Sequence, residues 1–348
     1  MTGASATLRN DARILVIIVA RIGDTLLVTP ALRALKAAAP NGKLTVLAHP
    51  KRAEVLRNLP FIDQLGAITK HRARIMGWIG RNRYDHAIVY GNDHALLEYA
   101  LRVSRHVVAF RGSAKRSARK IDWLDEPNAP MHAVDHRALV LGPLGVTLSD
   151  KRLAYQVTSG EGVAAKEWLR SHFKAQPHPL IALQLVSFPT KQYRDWGAAN
   201  FTELMSRILE HHPNAGFLLL GGPSDLPQVQ PVAQQFGERC AIAAGATTLR
   251  ESAALIAHSD LYVGVDTGPT HLAGALGVPM VALYHCAHPG RNLIPLQNPR
   301  LRYIEHPSTN APGAAIEKTS MSDISVEEVW QAVSELLAGP VNVRKIHV

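Results

Sequence analysis

Residues 266–271, with the sequence DTGPTH, have the composition of an anion-binding turn. They follow an apolar run over residues 261–265 and precede a segment rich in alanine and glycine, which predicts a strand followed by a helix. Gly268 allows a tight turn, and Pro269 suits the first helical turn, where no amide hydrogen is needed. Because the amides and positive dipole end of such a helix attract negative charge, the turn favours an anion such as a diphosphate.

The same turn carries polar side chains that suit contacts with such a ligand. Three of them are hydrogen-bond donors: Thr267, Thr270 and His271. Asp266 is the acidic member of the set, and it would lie directly at the end of the strand. An ordinary helix in which Asp266 caps its own amides is the alternative interpretation, since aspartate is a common N-cap.

Asp24 is a second acidic residue placed at the end of a predicted strand. Residues 13–19 are apolar enough for the first strand, and residues 21–25, RIGDT, follow it. Gly23 permits close approach of a ligand to the backbone, and open α/β sheets bind their ligands at the carboxyl ends of the strands. The sequence therefore predicts one carboxylate at such a binding edge, with a helix cap as the alternative.

Apolar runs alternate with helical segments along the whole chain, as in parallel sheets with crossover helices. Strands are predicted at residues 13–19, 44–48, 86–90, 180–186, 216–220, 261–265 and 278–284. Helices are predicted at residues 26–38, 51–59, 137–144, 162–173, 198–211, 227–236, 249–257 and 326–337. A proline-containing break, AQPHP, divides the chain into domains 1–175 and 176–348. The expected architecture is α/β, with two doubly wound Rossmann-like domains facing a central cleft and the last helix packed on either half.

Length and composition exclude several classes of protein. The 348 residues suffice for two domains with full cores, and no apolar run approaches the ~20 residues of a membrane span. The first 11 residues lack the apolar core of a signal peptide, which favours a cytoplasmic protein. Cys240 and Cys286 have no metal-ligand spacing, so free thiols are expected. Neither a G-x-G-x-x-G nor a P-loop motif follows any strand, which disfavours nicotinamide dehydrogenases and P-loop enzymes.

The net charge of +10 is unevenly distributed. Residues 1–178 hold 27 Lys and Arg against 14 Asp and Glu, whereas the remainder holds 11 against 14. A basic first half predicts a polyanionic partner or an anionic membrane surface, and no nucleic-acid-binding signature accompanies it. Within residues 70–83, apolar side chains alternate with arginines, which is typical of an interfacial helix or of a helix buried in its own domain.

Three motifs together resemble the bacterial heptosyltransferases of glycosyltransferase family nine, which build the inner core of lipopolysaccharide. They are residues 21–35, RIGDTLLVTPALRAL; residues 221–223, GGP; and residues 265–276, VDTGPTHLAGAL. The resemblance is collinear over nearly the whole chain. It implies a GT-B fold, an ADP-heptose donor held by the second domain, and an anionic, lipid-linked saccharide acceptor held by the first. It also implies that no metal ion or other cofactor is required.

The resemblance assigns roles to individual residues. Asp24 matches the proposed general base, and the donor's sugar and diphosphate are matched to Asp266, Thr267, Gly268, Pro269, Thr270 and His271. The nucleoside is matched to Gly222, Asp225, Thr247 and Leu249. For the acceptor, strand ends and basic segments of the first domain suggest Arg21, Gly23, Asn92, Asp93, His94, Arg111 and Arg116.

Two positions depart from the family pattern. A lysine commonly stands two residues before the tryptophan of residues 187–196, SFPTKQYRDW, but Arg194 occupies that position and Lys191 is the nearest lysine. Arginine binds phosphate well, although it is not interchangeable with lysine. Family members often have glycine and then threonine after the next strand, where this chain has His285 and Ala287. Either the donor sugar differs or the anion contacts have moved to basic residues nearby: His285, His288 or Arg291.

The sequence thus predicts an inverting, metal-independent glycosyltransferase, with heptose transfer to a lipopolysaccharide core acceptor as the first interpretation. A cytoplasmic location with peripheral contact at the inner membrane accompanies it. Two alternatives stay open. One is transfer of another nucleotide-activated sugar to a different glycoconjugate, and the other is a nucleotide-sugar-binding protein that has lost turnover.

Overall fold

A computed structural model of the chain describes residues 8–76, 82–112, 120–310 and 319–339. The chain divides into two compact units between Gln156 and Val157. Each unit contains a six-stranded sheet in which all neighbouring strands run parallel. Within the described residues, no helix is both long and apolar enough to cross a membrane.

The first unit builds its sheet in the order β3-β2-β1-β4-β5-β6. Its strands are β1 (Arg13–Ile18), β2 (Lys43–Ala48), β3 (Gln64–Ala67), β4 (Tyr84–Tyr90), β5 (Ser104–Phe110) and β6 (Ile121–Leu124). Its helices are α1 (Ile22–Leu26), α2 (Thr29–Ala38), α3 (Lys70–Ile75), α4 (His94–Val103) and α5 (Ala133–Ala138). The strand order reverses between β1 and β4, so the segments that follow these two strands meet at the edge where such sheets bind ligands.

The almost continuous apolar sequence of β1, RILVII, reflects burial of the sheet on both faces. Ile14 and Val16 pack into a cluster with Leu32 and Leu35 of α2. Leu15 and Ile17 point to the opposite cluster, which includes residues of α4. Because successive side chains of a strand alternate between faces, one apolar run supplies two cores.

The second unit repeats this topology in the order β12-β11-β10-β7-β8-β9. Its strands are β7 (Leu180–Gln184), β8 (Gly216–Leu219), β9 (Cys240–Ile242), β10 (Leu261–Val265), β11 (Met280–Tyr284) and β12 (Leu301–Glu305). Its helices are α6 (Ser159–His172), α7 (Ala198–His211), α8 (Leu226–Phe236), α9 (Leu249–Ala257), α10 (Gly268–Ala275) and α11 (Val326–Ala338). The order reverses between β7 and β10, which makes their carboxyl ends the corresponding binding edge.

The boundary between the units lies before α6, earlier than the expected division between residues 175 and 176. Thr158 and Glu161 form a capping box that starts α6. The Glu161 carboxylate also accepts hydrogen bonds from the buried guanidinium of Arg250 on α9, one of them 2.7 Å long. The Gly162 carbonyl lies 3.1 Å from Nε2 of His258. These contacts place α6 with the second unit. The proline-containing break therefore lies inside this unit, directly before β7.

The last helix, α11, also packs within the second unit. Val329 and Val333 join its core cluster, and Trp196 donates a 2.8 Å hydrogen bond from Nε1 to the Ile324 carbonyl. On the surface, Arg207 of α7 pairs with Glu327. Both Cys240 and Cys286 are unbridged, as the sequence predicts.

Some predicted elements differ from the structure. The helix predicted over residues 51–59 is a single 3-10 turn, Ala53–Leu56. The helix predicted over residues 137–144 ends at Ala138 and continues as a 3-10 segment that contains Pro143, because proline lacks the amide needed inside a helix. The helix predicted over residues 26–38 begins three residues later, as α2, and a separate short helix, α1, precedes it.

We expect Glu161→Gln to lower the free energy of unfolding by about 2 kcal/mol, because it leaves the Arg250 guanidinium buried without its carboxylate. Arg250 holds the pKa of Glu161 at about 2, against an unfolded value near 4.5. The stabilisation is therefore complete above pH 4.5 and disappears as the pH falls to about 2. Urea unfolding at several pH values measures this difference. Glu167→Gln, on the exposed face of α6, is the matched control; an equal loss in both variants would contradict the role of the ion pair.

Candidate functional site

The segments that follow β7 and β10 meet in a buried ion pair. Nη1 of Arg194 donates a 2.7 Å hydrogen bond to Oδ2 of Asp266, and the two side chains are only 16% and 8% exposed. Nε2 of His271 lies 3.8 Å from Oδ1 of the same carboxylate. Asp266 therefore sits between two basic side chains, and it does not cap α10, whose N-cap is Thr267.

Arg194 keeps donor capacity beyond this pair. Its Nε atom is buried and makes no hydrogen bond to any residue in the described part of the chain. A buried N–H without a partner is costly, and a guanidinium presents its donors in a planar fork that suits phosphate oxygens. The position where the family often has lysine thus holds a cation that can bind Asp266 and an anion at the same time.

The turn at the start of α10 has the predicted geometry. The helix begins at Gly268, with Pro269 in its first turn and no side-chain cap on its amides. Thr267 Oγ1 donates to the Val265 carbonyl at 3.3 Å, and Thr270 Oγ1 donates to the same oxygen at 2.6 Å. Because Thr270 is fully buried, its hydroxyl supports the turn from inside, while the amides of α10 are the donors left for an anion.

Tyr193 joins the basic residues of this site. Its ring lies 5.5 Å from Nζ of Lys191 and 5.7 Å from Cζ of Arg194, and its hydroxyl is 3.1 Å from Nε2 of His288. Burial favours a higher pKa for Tyr193, but the two neighbouring cations outweigh it and the net shift is downward. Burial and then the Arg194 charge lower the pKa of His288, so this imidazole favours its neutral form.

His285 has a defined hydrogen-bond arrangement. Its Nδ1 accepts a 3.1 Å bond from the Ala287 amide, so Nε2 carries the proton and donates to Oγ1 of Thr319 at 2.8 Å. Burial lowers the pKa of His285, which agrees with this neutral tautomer. Arg291 is engaged elsewhere, with Glu305 and Asn310. Of the three basic residues considered for displaced anion contacts, only the two histidines therefore adjoin Tyr193.

The residues expected to hold a nucleoside lie on two adjoining turns after β8 and β9. The Gly245 amide donates a 3.1 Å hydrogen bond to the Gly221 carbonyl, which joins the turns. Asp225 accepts a 2.8 Å bond from the Gly222 amide, and any side chain at Gly221, whose φ is +151°, would meet that carboxylate. Thr247 bonds the Ala243 carbonyl at 3.0 Å. Leu249 is the first residue of α9.

The turns after β8 and β9 adjoin the basic residues around Arg194 through Asp195. This residue follows Arg194, and its Oδ1 accepts a 2.6 Å bond from the Ser187 amide. Burial and then the nearby charge of Asp225 raise the pKa of Asp195. The second unit thus brings these polar turns and the basic residues around Arg194 together at the carboxyl ends of its strands.

In the first unit, Asp24 lies in the first turn of α1, next to the end of β1. Nη2 of Arg137, from α5, donates a 2.6 Å hydrogen bond to Asp24 Oδ1. The Asp24 side chain is 41% exposed, so solvent still reaches it. The N-cap of α1 is Arg21, and Gly23 lies inside the helix. Asp24 therefore does not cap this helix, which was the alternative interpretation of its role.

Other residues expected at the acceptor side serve local structure as well. Asp93 caps α4 through the amides of Ala95 and Leu96 and pairs with Lys70 at 2.9 Å; these contacts lower its pKa although burial opposes them. His94 lies 3.6 Å from Glu98. Asn92 packs beside Gly112, Arg111 pairs with Asp125 at 2.7 Å, and Arg116 lies outside the described residues.

Arg137 and Tyr193 are the site residues that sequence reasoning missed. Arg137 is 113 residues from Asp24, and no spacing rule connects them. Tyr193 carried a signal, because an aromatic residue between Lys191 and Arg194 next to a strand end is suited to cation–π contacts. In the portions of the chain that the structure describes, no three His, Cys, Asp or Glu side chains are grouped as metal ligands.

The chain is similar to several known glycosyltransferases. Lipopolysaccharide heptosyltransferase 3 of Escherichia coli is 28% identical over 281 residues, which cover 75% of this chain and 80% of that protein. A family 9 glycosyltransferase from Veillonella parvula has a similar structure, with a TM-score of 0.80, 24% identity, and coverage of 96% and 99%. The E. coli ADP-heptose lipopolysaccharide heptosyltransferase II gives a TM-score of 0.75 at 22% identity, covering 93% and 98%.

These structural likenesses establish the GT-B fold, with two Rossmann-like units. The profile of glycosyltransferase family 9 (heptosyltransferase) matches residues 72–318. The chain belongs to glycosyltransferase family 9 and is an enzyme of the heptosyltransferase type.

We expect Arg194→Lys to weaken ADP binding about tenfold or more, because the ammonium still pairs with Asp266 but lacks the Nε donor. Lys191→Ala should change the dissociation constant less. Isothermal titration calorimetry with ADP measures both, and unfolding temperatures confirm that each variant is folded. The reverse order of effects would assign the phosphate contact to Lys191.

Proposed function

We propose that this enzyme transfers heptose from ADP-heptose to an inner-core acceptor of lipopolysaccharide, with inversion, without a metal ion, and with Asp24 as general base. The names of its relatives support the substrate class, since they include lipopolysaccharide heptosyltransferases and one whose donor is ADP-heptose. The departures at Arg194, His285 and Ala287 concern the surroundings of the donor. They leave the base of the first unit unchanged.

The arrangement around Arg194 is the observation that carries the donor assignment. Its partnerless buried Nε, the uncapped amides of α10 and Lys191 supply positive charge beside the turns of Gly222 and Thr247. A nucleoside diphosphate needs both parts, a basic site for the phosphates and an adjoining pocket for ribose and base. Asp225 has a second carboxylate oxygen that already accepts from Ser224, and its lone pairs suit ribose hydroxyls.

The proposed reaction requires one base and one leaving-group site. The acceptor hydroxyl oxygen forms a bond to the anomeric carbon, and its proton passes to the Asp24 carboxylate. The bond from that carbon to the phosphate oxygen breaks, and its electron pair leaves with ADP. Arg194 and the α10 amides stabilise the charge that develops on the departing diphosphate.

Arg137 is proposed to orient the base. It holds Oδ1 of Asp24, and Oδ2 makes no hydrogen bond to other side chains or backbone groups that the structure describes. The second oxygen is therefore the one that suits proton transfer. Since Arg137 comes from α5, the segment after β6 takes part in positioning a residue that follows β1.

The acceptor is proposed to be anionic and lipid-linked. The first half of the chain carries the basic excess, and Arg72 and Arg74 are exposed on α3, which follows β3. Ile75 beside them is 76% exposed, so this helix does not bury it in its own domain. An exposed isoleucine flanked by arginines supports a peripheral contact with an anionic membrane.

We expect Asp24→Asn to reduce kcat by roughly 10²- to 10⁴-fold, because an amide of the same size cannot accept the proton. The dissociation constant of ADP should stay within about twofold, since Asp24 lies in the other unit. Steady-state assays with ADP-heptose and the lipid acceptor measure turnover. Near wild-type turnover would remove Asp24 from the mechanism, and wild-type donor binding without any turnover in the unmodified protein would favour the non-catalytic alternative.

We expect acceptor affinity to fall steeply with salt, because the Debye length shrinks from about 10 Å at 0.1 M to about 3 Å at 1 M. Arg72→Gln with Arg74→Gln should weaken acceptor binding and leave ADP binding unchanged. Lys43→Gln with Arg105→Gln is the control pair, since these exposed residues lie at the amino ends of β2 and β5. If the two pairs of substitutions change acceptor binding equally, the basic residues of the first unit are only a solvated surface.

A further inference from the structure

A second concave site lies in the second unit, far from the ion pair of Arg194 and Asp266. It has a volume of about 500 Å³ and is bordered by Leu180, the first residue of β7, and by Asp260, which directly precedes β10. The donor residues follow these same strands. Because a five-residue strand spans about 17 Å, this cavity and the donor site lie at opposite ends of the same strands.

A row of three cations forms one wall of this cavity. Lys166 and Arg170 are about one turn apart on α6, and Lys174 follows the end of the helix. All three side chains are exposed. His178 and His258 line the same cavity. The wall therefore presents positive charge along the last two turns of α6 and the segment that follows the helix.

Two of the three charges of this row are not neutralised locally. The side chains of Lys166 and Arg170 make no ion pair or hydrogen bond with any described residue, and Lys174 contacts Glu238. Elsewhere in the unit, exposed Arg207 pairs with two glutamates. The second unit, residues 157–348, holds 14 Lys and Arg against 16 Asp and Glu, so this concentration of cations is not part of a general excess within the unit.

Asp260 is the one acidic residue in the cavity lining, and it is already engaged. Its Oδ2 accepts a 2.7 Å hydrogen bond from the Leu180 amide and lies 3.4 Å from Nδ1 of His178. The floor of the cavity includes the buried side chains of Phe173 and Leu180. An apolar floor with a few convergent charged groups is typical of small-molecule sites of this size.

We propose that this cavity is a second anion-binding site, which takes a phosphate-bearing ligand with an apolar part. The phosphate groups lie along Lys166, Arg170 and Lys174, and the apolar part contacts Phe173 and Leu180. Two sources share this chemistry, a soluble phosphorylated compound and the headgroup of an anionic lipid. Neither involves the donor site, so the proposal stands independently of the sugar that the enzyme transfers.

The test uses inorganic pyrophosphate as a probe, titrated by calorimetry in low salt with the donor site saturated by ADP. The triple variant K166Q/R170Q/K174Q removes the row, and glutamine preserves helix propensity. The control variant R207Q/R300Q/R302Q removes three positive charges from the same unit outside the cavity. We expect the triple variant to bind pyrophosphate about tenfold more weakly or worse, and the control to stay within about twofold of the wild type. ADP affinity should be unchanged in both, which verifies their folding.

A second arm measures sedimentation of the same three proteins with vesicles of phosphatidylglycerol and phosphatidylcholine, with pure phosphatidylcholine as reference. Selective loss of pyrophosphate binding in the triple variant supports the site and indicates a soluble ligand. Selective loss of vesicle binding supports the site and indicates a lipid headgroup. If the triple variant and the control behave alike in both arms, the proposal is overturned and the row is a solvated helix face.

Discussion

The buried ion pair between Arg194 and Asp266 is the interaction on which the candidate site of the second unit depends. Removing two charges from water is costly, and the cost is recovered only with close contact and further hydrogen bonds. The pair joins the segment after β7 to the turn after β10, the two strands at which the sheet order reverses. It therefore fixes the position of a cation and of the α10 amides relative to each other before any ligand binds.

Arginine at this position explains how one residue can serve two partners. A guanidinium has several donors in a rigid plane, so Nη1 can bind Asp266 while Nε stays directed elsewhere. The ammonium of a lysine is a compact charge whose donors rotate freely and are not fixed toward two separate partners. Tyr193 adds a surface of the opposite electrostatic character, because its ring face attracts both Lys191 and Arg194 and limits where the two cations can move. The departure from the family lysine is thus accompanied by a local set of contacts that holds the arginine.

The sequence predicted the parts of the fold that depend on strong local patterns. Buried strands such as β1 and β10 are unbroken apolar runs, and α7 and α9 have the boundaries expected from their periodicity. β5 was missed because it follows α4 at Ser104 without any turn residue between them. β9 was missed because three residues are too short for a period to be recognised.

The candidate site shows the same division between local and distant signals. The turn of residues 266–271 was predictable because its glycine, proline and polar residues act on neighbours in the chain. The approach of Arg137 to Asp24 depends on how α5 returns to the sheet, and no local pattern encodes it. Thr270 was predicted to donate a hydrogen bond to the ligand. A buried hydroxyl commonly bonds a nearby carbonyl, and here the Thr270 hydroxyl donates to the Val265 carbonyl.

The attachment of α6 to the second unit has a consequence for the modular use of this architecture. Evolutionary or engineered exchange of halves between related transferases requires a junction at which few interactions are cut. A junction at residues 175–176 would separate Glu161 from Arg250 and leave a buried guanidinium in a foreign half without its carboxylate. A junction between Gln156 and Val157 transfers the helix, its capping box and its partner together. A transferable module built on the second sheet therefore begins with α6 and not with the first strand of that sheet.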